Sequence, residues 1–341
     1  MMRWKLLVLL VVASACCADS RISLSGLDVR GYPSLSIAAS VTDKSTGATV
    51  KGLKRGDFQV CIDEVDQPQA SAESVLSGGR KIALAILVDT SGSMRGMPLS
   101  SANQAISGML ARLSAKDRAA IIGFSDRVHG GVDYMTDRER LRKRLAGLRA
   151  VGETAFYDAV ARSSESAAKQ HCDRNVVVAL TDGRDNVSKL TYVQCMDRIR
   201  SAGVPVYIIG LGRDVAEDKL DALASESGGR YFAAASPSDL QSIYQSIAEN
   251  IQNQYIVKLD APRSFNPGTW HSLSVSAGDA TGKIGFMVPT ASSNANQIVS
   301  SGTEMWDVFP VGLIILGAIT VLAVGTLVVV RNRRYLKRRK A

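Results

Sequence analysis

The chain has 341 residues, of which 46% are hydrophobic and 21% are charged, and its formal net charge is +9. This length accommodates one large folded core and a smaller module, and the composition excludes an intrinsically disordered protein. Residues 331–341 alone carry seven basic and no acidic side chains. The net charge of the rest is therefore small and gives no argument for nucleic-acid binding.

The first 18 residues have the pattern of an export signal. Arg3 and Lys5 precede an apolar run, and small residues follow up to Ala18. We expect cleavage near Ala18. Lipid attachment at Cys16 is the alternative, which Ala13 disfavours because such signals usually have Leu three residues before the cysteine. The sequence therefore predicts that the body of the protein is exported.

Short antiparallel strands are predicted on both sides of a central region. Before it, in residues 19–79, Ser34–Val41 alternates apolar and polar side chains, and Asp57–Ile62 is a second strand. After it, in residues 253–290, the predicted strands are Gln254–Leu259, His271–Ala277 and Lys283–Val288. We expect the two flanks to form one small antiparallel β-sandwich, with the central domain inserted in it or flanked by it.

Residues 80–252 alternate apolar strands with amphipathic helices. The predicted strands are Lys81–Asp89, Ala119–Phe124, Val132–Met135, Val176–Leu180, Pro205–Leu211 and Tyr231–Ala235. The predicted helices run through Leu99–Leu113 and over Arg138–Leu148, Ala155–Lys169, Thr191–Ala202, Ala216–Glu226 and Ser238–Asn253. This alternation predicts an α/β fold with a doubly wound, mostly parallel sheet that has helices on both faces.

Oxygen-bearing side chains occur at three places between these strands and helices. Asp89 ends the first strand, and Ser91 and Ser93 lie in the loop after it. Thr154 leads into a helix, and Asp182 follows another strand. Because ligands of such sheets bind beyond the carboxyl ends of the strands, we expect the five side chains to converge. Carboxylates and hydroxyls favour a small hard cation, Mg²⁺ or Mn²⁺, over Ca²⁺ and Zn²⁺.

At these residues the chain resembles the von Willebrand factor A domain and its metal-ion-dependent adhesion site. The family pattern DxSxS matches Asp89, Ser91 and Ser93. The family's threonine matches Thr154, and its later aspartate matches Asp182. The resemblance implies that the three hydroxyls coordinate the metal directly and that the two aspartates often act through water. A carboxylate from a partner would then fill the open position.

This resemblance covers about residues 80–250, with the predicted elements in the family's order. Glu153 departs from it, since many relatives have Gly at this position. The extra acid is expected either to tighten cation binding or to discourage an acidic ligand. The strands before the domain are more loosely similar to the leader of a bacterial group of A-domain proteins, which favours a bacterial host.

The C-terminal part of the chain has the pattern of a membrane anchor. Residues 291–304 are rich in Ser, Asn and Ala and are typical of a flexible stalk. Within residues 305–330, the 23 residues Val308–Val330 carry no charge, which is long enough for one transmembrane helix. The basic residues 331–341 predict a cytoplasmic tail. We therefore expect a single-pass membrane protein with its head in the periplasm or at the cell surface.

Three cysteines remain after the expected cleavage. Cys172 and Cys195 bracket the strand that leads to Asp182 and are the preferred disulfide pair, although spacing does not fix connectivity. Cys61 would then be either a buried thiol or the site of an intermolecular bridge.

Two functions are compatible with this sequence. The first is a membrane-anchored receptor or adhesion protein. Its metal would bind an acidic side chain of a protein or matrix ligand. The second is an assembly or scaffold factor of the envelope, in which the cation is mainly structural. We expect no enzymatic activity, because no general base and substrate cleft accompany the metal residues.

Overall fold

The computed structural model describes residues 20–45, 49–75 and 79–290, together with the short strand 298–299. The predicted export signal with Cys16, most of the stalk, the membrane helix and the basic tail lie outside the described residues. Among the residues that are described, no helix is long and apolar enough to cross a membrane.

The secondary structure follows the alternation expected from the sequence. In chain order, the strands are β1 (Ser20–Asp28), β2 (Ser34–Asp43), β3 (Phe58–Ile62), β4 (Val65–Asp66), β5 (Ser71–Ser74), β6 (Ile82–Asp89), β7 (Arg118–Phe124), β8 (Arg174–Thr181), β9 (Val206–Leu211), β10 (Arg230–Ala234), β11 (Tyr255–Asp260), β12 (Trp270–Ala277), β13 (Ala280–Met287) and β14 (Ile298–Val299). The helices are α1 (Met97–Ala111), α2 (Arg138–Ala146), α3 (Phe156–Ala168), α4 (Tyr192–Ala202), α5 (Glu217–Glu226) and α6 (Leu240–Gln252).

A five-stranded parallel sheet forms the centre of the α/β domain. Its strand order is β10-β9-β8-β6-β7, and every neighbouring pair is parallel. Strand β6 is buried along its whole length because both of its faces are covered. Leu84 and Ile86 pack in one core with α1, α2 and α6, while Ala85 and Leu87 pack in another with α3, α4 and α5. The predicted parallel α/β architecture is confirmed.

The prediction of a strand at Val132–Met135 is wrong. β7 is the edge of the parallel sheet, and the segment pairs with it only at Met135, which exchanges both backbone hydrogen bonds with Ala119, each 2.9 Å long. The segment cannot continue as a strand because Asp137, two residues after Met135, already caps helix α2 by accepting hydrogen bonds from the backbone N–H groups of its first turn.

Two antiparallel sheets pack face to face beside this domain. Their strand orders are β1-β2-β11-β5 and β14-β13-β12-β3-β4, and a shared apolar core lies between them. The chain leaves the first sheet after β5 and returns to it in β11. These two strands pair directly, with Tyr255 opposite Ser74. The start and the end of the α/β domain are therefore held next to each other by one strand ladder.

A buried arginine joins the parallel sheet to the sandwich. Arg174, at the start of β8, is 3% exposed, and its guanidinium donates to the Ser25 hydroxyl and to the Gln254 side-chain oxygen, both at 2.8 Å. Gln254 in turn donates to the Tyr207 hydroxyl at 3.1 Å. Burial lowers the pKa of Arg174 because the charged form loses its hydration.

The Cys172–Cys195 disulfide considered from the sequence is not formed. Cys61, Cys172 and Cys195 are all free thiols. Cys195 lies on α4, near Asp158 and Asp185 at the carboxyl end of β8, and its thiol donates to the carbonyl of Tyr157. Cys172 lies two residues before the amino end of the same strand. The eight residues of β8 separate the two ends by more than a disulfide spans.

Candidate metal centre

Asp89 ends β6 and forms the floor of the candidate site. One of its oxygens accepts the Ser91 backbone N–H at 2.8 Å, and the other accepts the Thr181 hydroxyl at 2.7 Å. The residue is fully buried, and this burial raises the pKa of Asp89 to about 6. Because both oxygens already accept hydrogen bonds from the protein, Asp89 fixes the loop that follows it.

The two serines and Asp182 lie in direct contact above this floor. The Ser93 hydroxyl donates to an oxygen of Asp182 at 2.8 Å and lies 3.1 Å from the Ser91 hydroxyl. The Ser91 hydroxyl is 3.5 Å from the same Asp182 oxygen. Burial raises the pKa of Asp182 as well, since its carboxylate is partly removed from water. Three of the side chains expected to converge therefore do so.

The Thr154 loop packs against the serine loop through its backbone. The Gly92 N–H donates to the Gly152 carbonyl at 2.9 Å. Thr154 is buried, and a Cβ at Gly183 would lie 3.6 Å from its hydroxyl oxygen, so this hydroxyl faces the residue after Asp182. Gly152 has a φ of 90°, a conformation that favours glycine.

Side chains that the sequence did not single out hold these loops in place. Asn186 accepts the Thr154 N–H at 2.9 Å, and its own N–H donates to the Thr154 carbonyl at 3.1 Å. The Asn186 amide also donates to the Glu153 carboxylate at 2.6 Å, so this acid is engaged beside the site. Thr181 could have been suspected because it directly precedes Asp182. No local pattern marks Asn186.

The donor set has the composition that a hard divalent cation prefers. It consists of three hydroxyls and two carboxylates, and within the described ranges no group of three or more His, Cys, Asp or Glu side chains is arranged to hold a metal. A cation here would rest on neutral hydroxyl oxygens with carboxylates behind them. The residues present therefore fit Mg²⁺ or Mn²⁺.

Exposed apolar side chains lie in the loops and helix starts at this edge of the sheet. Six large apolar side chains are exposed in the part of the chain that the structure describes, and four of them, which we call the apolar rim, belong to these segments. Met97 begins α1, Val151 precedes the Thr154 loop, Val187 follows Asn186, and Val193 lies in the first turn of α4. Their exposed fractions range from 41% to 72%.

A family comparison agrees with this geometry. Residues 83–246 match the model of the von Willebrand factor type A domain. The chain therefore contains a von Willebrand factor type A domain. The match includes all five candidate metal residues and the whole parallel sheet apart from Ile82.

Several known proteins are similar over this domain. An uncharacterized Synechocystis sp. protein is 26% identical over 174 residues, which are 50% of this chain and 41% of that protein. Inter-alpha-trypsin inhibitor heavy chain H3 of Rattus norvegicus is 25% identical over 250 residues, or 65% of this chain and 28% of the relative. The chain spans less than half the length of these curated relatives.

Solved structures with a similar fold include two further proteins. One is proximal thread matrix protein 1 of the mussel byssus with a zinc-occupied metal-ion-dependent adhesion site, at a TM-score of 0.49 and 18% identity, covering 57% of this chain and 50% of that chain. The other is a von Willebrand factor type A protein from Catenulispora acidiphila, at a TM-score of 0.46 and 13% identity, covering 85% of this chain and 75% of that chain.

Proposed function

We propose that this chain is a single-pass membrane protein whose extracytoplasmic von Willebrand factor type A domain binds a protein or matrix ligand through Mg²⁺ or Mn²⁺. Ser91, Ser93 and Thr154 would hold the cation directly, and Asp89 and Asp182 would act through water. The contact of the Ser93 hydroxyl with Asp182, above the buried Asp89, carries this proposal. The role is binding, and we assign no catalytic step to the site.

Electrostatics favour a cation between these groups. Asp182 adds to the effects that raise the pKa of Asp89, because two carboxylates repel each other in a partly desolvated site. A divalent cation held by hydroxyl oxygens would relieve this repulsion. Since its direct ligands would be neutral, the cation would keep positive charge with which to attract a carboxylate from a partner.

The apolar rim supports a protein as the ligand. An acidic side chain that reaches the cation would be surrounded by Met97, Val151, Val187 and Val193. Apolar residues around a central charged contact exclude water from it, and this strengthens the contact in protein interfaces. The ligand class is therefore a protein surface with an acidic residue flanked by apolar side chains.

Metal binding is tested by calorimetry and thermal unfolding of the full chain with Mg²⁺ and Mn²⁺. A cation at a hundred times its dissociation constant should stabilise the folded state by about 2.7 kcal/mol. We expect Ser93→Ala to remove most of this stabilisation. Ser100→Ala, an exposed serine on α1, is the matched control and should retain it. Equal stabilisation of both variants would contradict the assigned site.

Ligand binding is tested by capturing partners from solubilised native membranes with the full chain, in Mg²⁺ and in EDTA. Partners retained only with the metal and with an intact Asp89 support the proposal, and Asp89→Ala should lose them. Val193→Gln should keep metal affinity but weaken capture. Identical partners in every condition would instead support a scaffold role for the domain, with a mainly structural cation.

A further inference from the structure

A second concave site lies at the opposite edge of the parallel sheet. It is a cavity of about 460 Å³ at the amino ends of β6, β7 and β8. Its wall is mostly basic and includes Lys81, Lys116, Arg118, Lys169, His171 and Cys172. These residues come from three separate stretches of the chain, so no local sequence pattern predicts the cavity.

The lysine and arginine side chains of this wall lack ion-pair partners among the described residues. Within the described residues, none of Lys81, Lys116, Arg118 and Lys169 forms an ion pair. The Arg118 guanidinium donates one hydrogen bond, to the Tyr134 carbonyl at 3.1 Å. Unpaired charges of one sign around a concave surface focus the electric field and concentrate ions of the opposite sign.

Two aspartates lie near the cavity, but both are already engaged. Asp117 is buried, and its two oxygens accept the backbone N–H groups of Ile82 at 2.9 Å and Ser114 at 2.7 Å. Asp173 accepts the Lys81 backbone N–H at 3.0 Å, and it lies 3.4 Å from both Arg80 and Lys258. Both carboxylates keep their charge, but Asp173 is already paired with Arg80 and Lys258, and Asp117 alone cannot balance the four Lys and Arg side chains of the wall.

We propose that this cavity binds a phosphate-bearing anion with more than one negative charge. Lysine and arginine side chains are the usual partners of phosphate oxygens, and several of them are available here without breaking an existing ion pair. The phosphate belongs either to a small free molecule or to a lipid headgroup, which present the same chemistry to the wall. This site does not depend on the metal centre, because the length of the sheet separates them.

The first test measures binding of tripolyphosphate to the full chain in detergent by calorimetry. The protein is first freed of divalent cations by dialysis, so that tripolyphosphate cannot bind through a metal. We expect Lys116→Gln/Lys169→Gln to weaken binding by on the order of tenfold or more, since both lost contacts are charge-assisted. The control Lys51→Gln/Lys283→Gln removes the same charge from exposed positions in the sandwich and should bind like the wild type.

A second arm distinguishes the two sources of phosphate. Calorimetry in the same detergent compares short-chain phosphatidylcholine with short-chain phosphatidic acid, whose headgroup phosphate can carry two negative charges. Binding of tripolyphosphate without binding of phosphatidic acid identifies a free ligand, whereas binding of phosphatidic acid that the cavity variant loses identifies a headgroup. The proposal is overturned if neither probe binds, or if the cavity and control variants lose the same affinity.

Alkylation of Cys172 gives an independent readout. Its thiol is half-buried in the cavity wall, and it should react with iodoacetamide more slowly when tripolyphosphate fills the cavity. Peptide mass spectrometry separates Cys172 from Cys61, which lies in the sandwich and should react at an unchanged rate. Equal protection of both thiols would overturn the assignment.

Discussion

The two edges of the parallel sheet differ in charge and in how their residues are fixed. At the carboxyl edge, carboxylates and hydroxyls contact one another and are anchored by backbone hydrogen bonds, as with Asp89 and the Ser91 N–H. At the amino edge, the cavity wall carries lysines without partners, while Arg174 is buried between the sheet and the sandwich. The same strands therefore separate an acidic site from a basic one.

This difference shows that the strands supply position and the loops supply chemistry. Strand β6 is apolar along its length up to Asp89. Its buried side chains pack in the cores and carry no charge that would distinguish one edge of the sheet from the other. Which ions each edge attracts depends on short segments between strands and helices, as is usual where a rigid scaffold carries binding loops. The two edges should therefore respond to separate sets of mutations.

The largest effect is expected at the amino edge, for Arg174→Ala. The change removes buried packing and leaves Ser25 and Gln254 without their hydrogen-bond partner. The free energy of unfolding should fall by about 3 kcal/mol. Urea denaturation measures it, with Arg198→Ala, a surface arginine on α4, as the control. Affinity for Mn²⁺ at the carboxyl edge should not change; a parallel loss would show that the two edges are coupled.

A smaller effect is expected at the carboxyl edge, for Gly152→Ala. A Cβ there would lie 2.5 Å from an Asp126 oxygen, and the φ of 90° is strained for alanine. We expect a loss of about 2 kcal/mol in the free energy of unfolding, together with weaker Mn²⁺ binding as the Thr154 loop moves. Gly52→Ala is the matched control.

Gly52 has a similar φ of 81°, but a Cβ added to it would meet no atom within 4 Å, and it belongs to the sandwich. Its replacement tests backbone strain alone and should leave Mn²⁺ binding intact. If the two glycine variants were equally stable and bound Mn²⁺ equally well, the close approach of Asp126 would not be what fixes the Thr154 loop.

The smallest effect on stability is expected for Asn186→Ala. Thr154 would lose the acceptor of its N–H, at a cost of about 1 kcal/mol in the free energy of unfolding. Mn²⁺ affinity should fall about tenfold, because residues that orient metal ligands typically contribute this much. Calorimetry measures the affinity, and the exposed Asn266→Ala is the control. Unchanged affinity would mean that Thr154 keeps its place without Asn186.

Local patterns predicted most of the central domain. The three-to-four spacing of apolar residues in α1 and the continuous apolar run of β6 each reflect how one element is buried. Both elements could therefore be recognised from the local sequence. The strand prediction for Val132–Met135 failed because this short segment forms one isolated pair with β7 before α2 begins. β1 was missed, although Ile22 and Leu24 alternate with polar residues.

The sequence by itself predicted the type of site, because Asp89, Ser91 and Ser93 lie within five residues and follow a recognisable strand. Only the tertiary structure decided which residues support that site and what the opposite edge can bind. Asn186 contacts Thr154 across 32 residues of chain, and the lysines of the basic cavity are further apart still. Such contacts depend on how complete elements pack, and no local spacing encodes them.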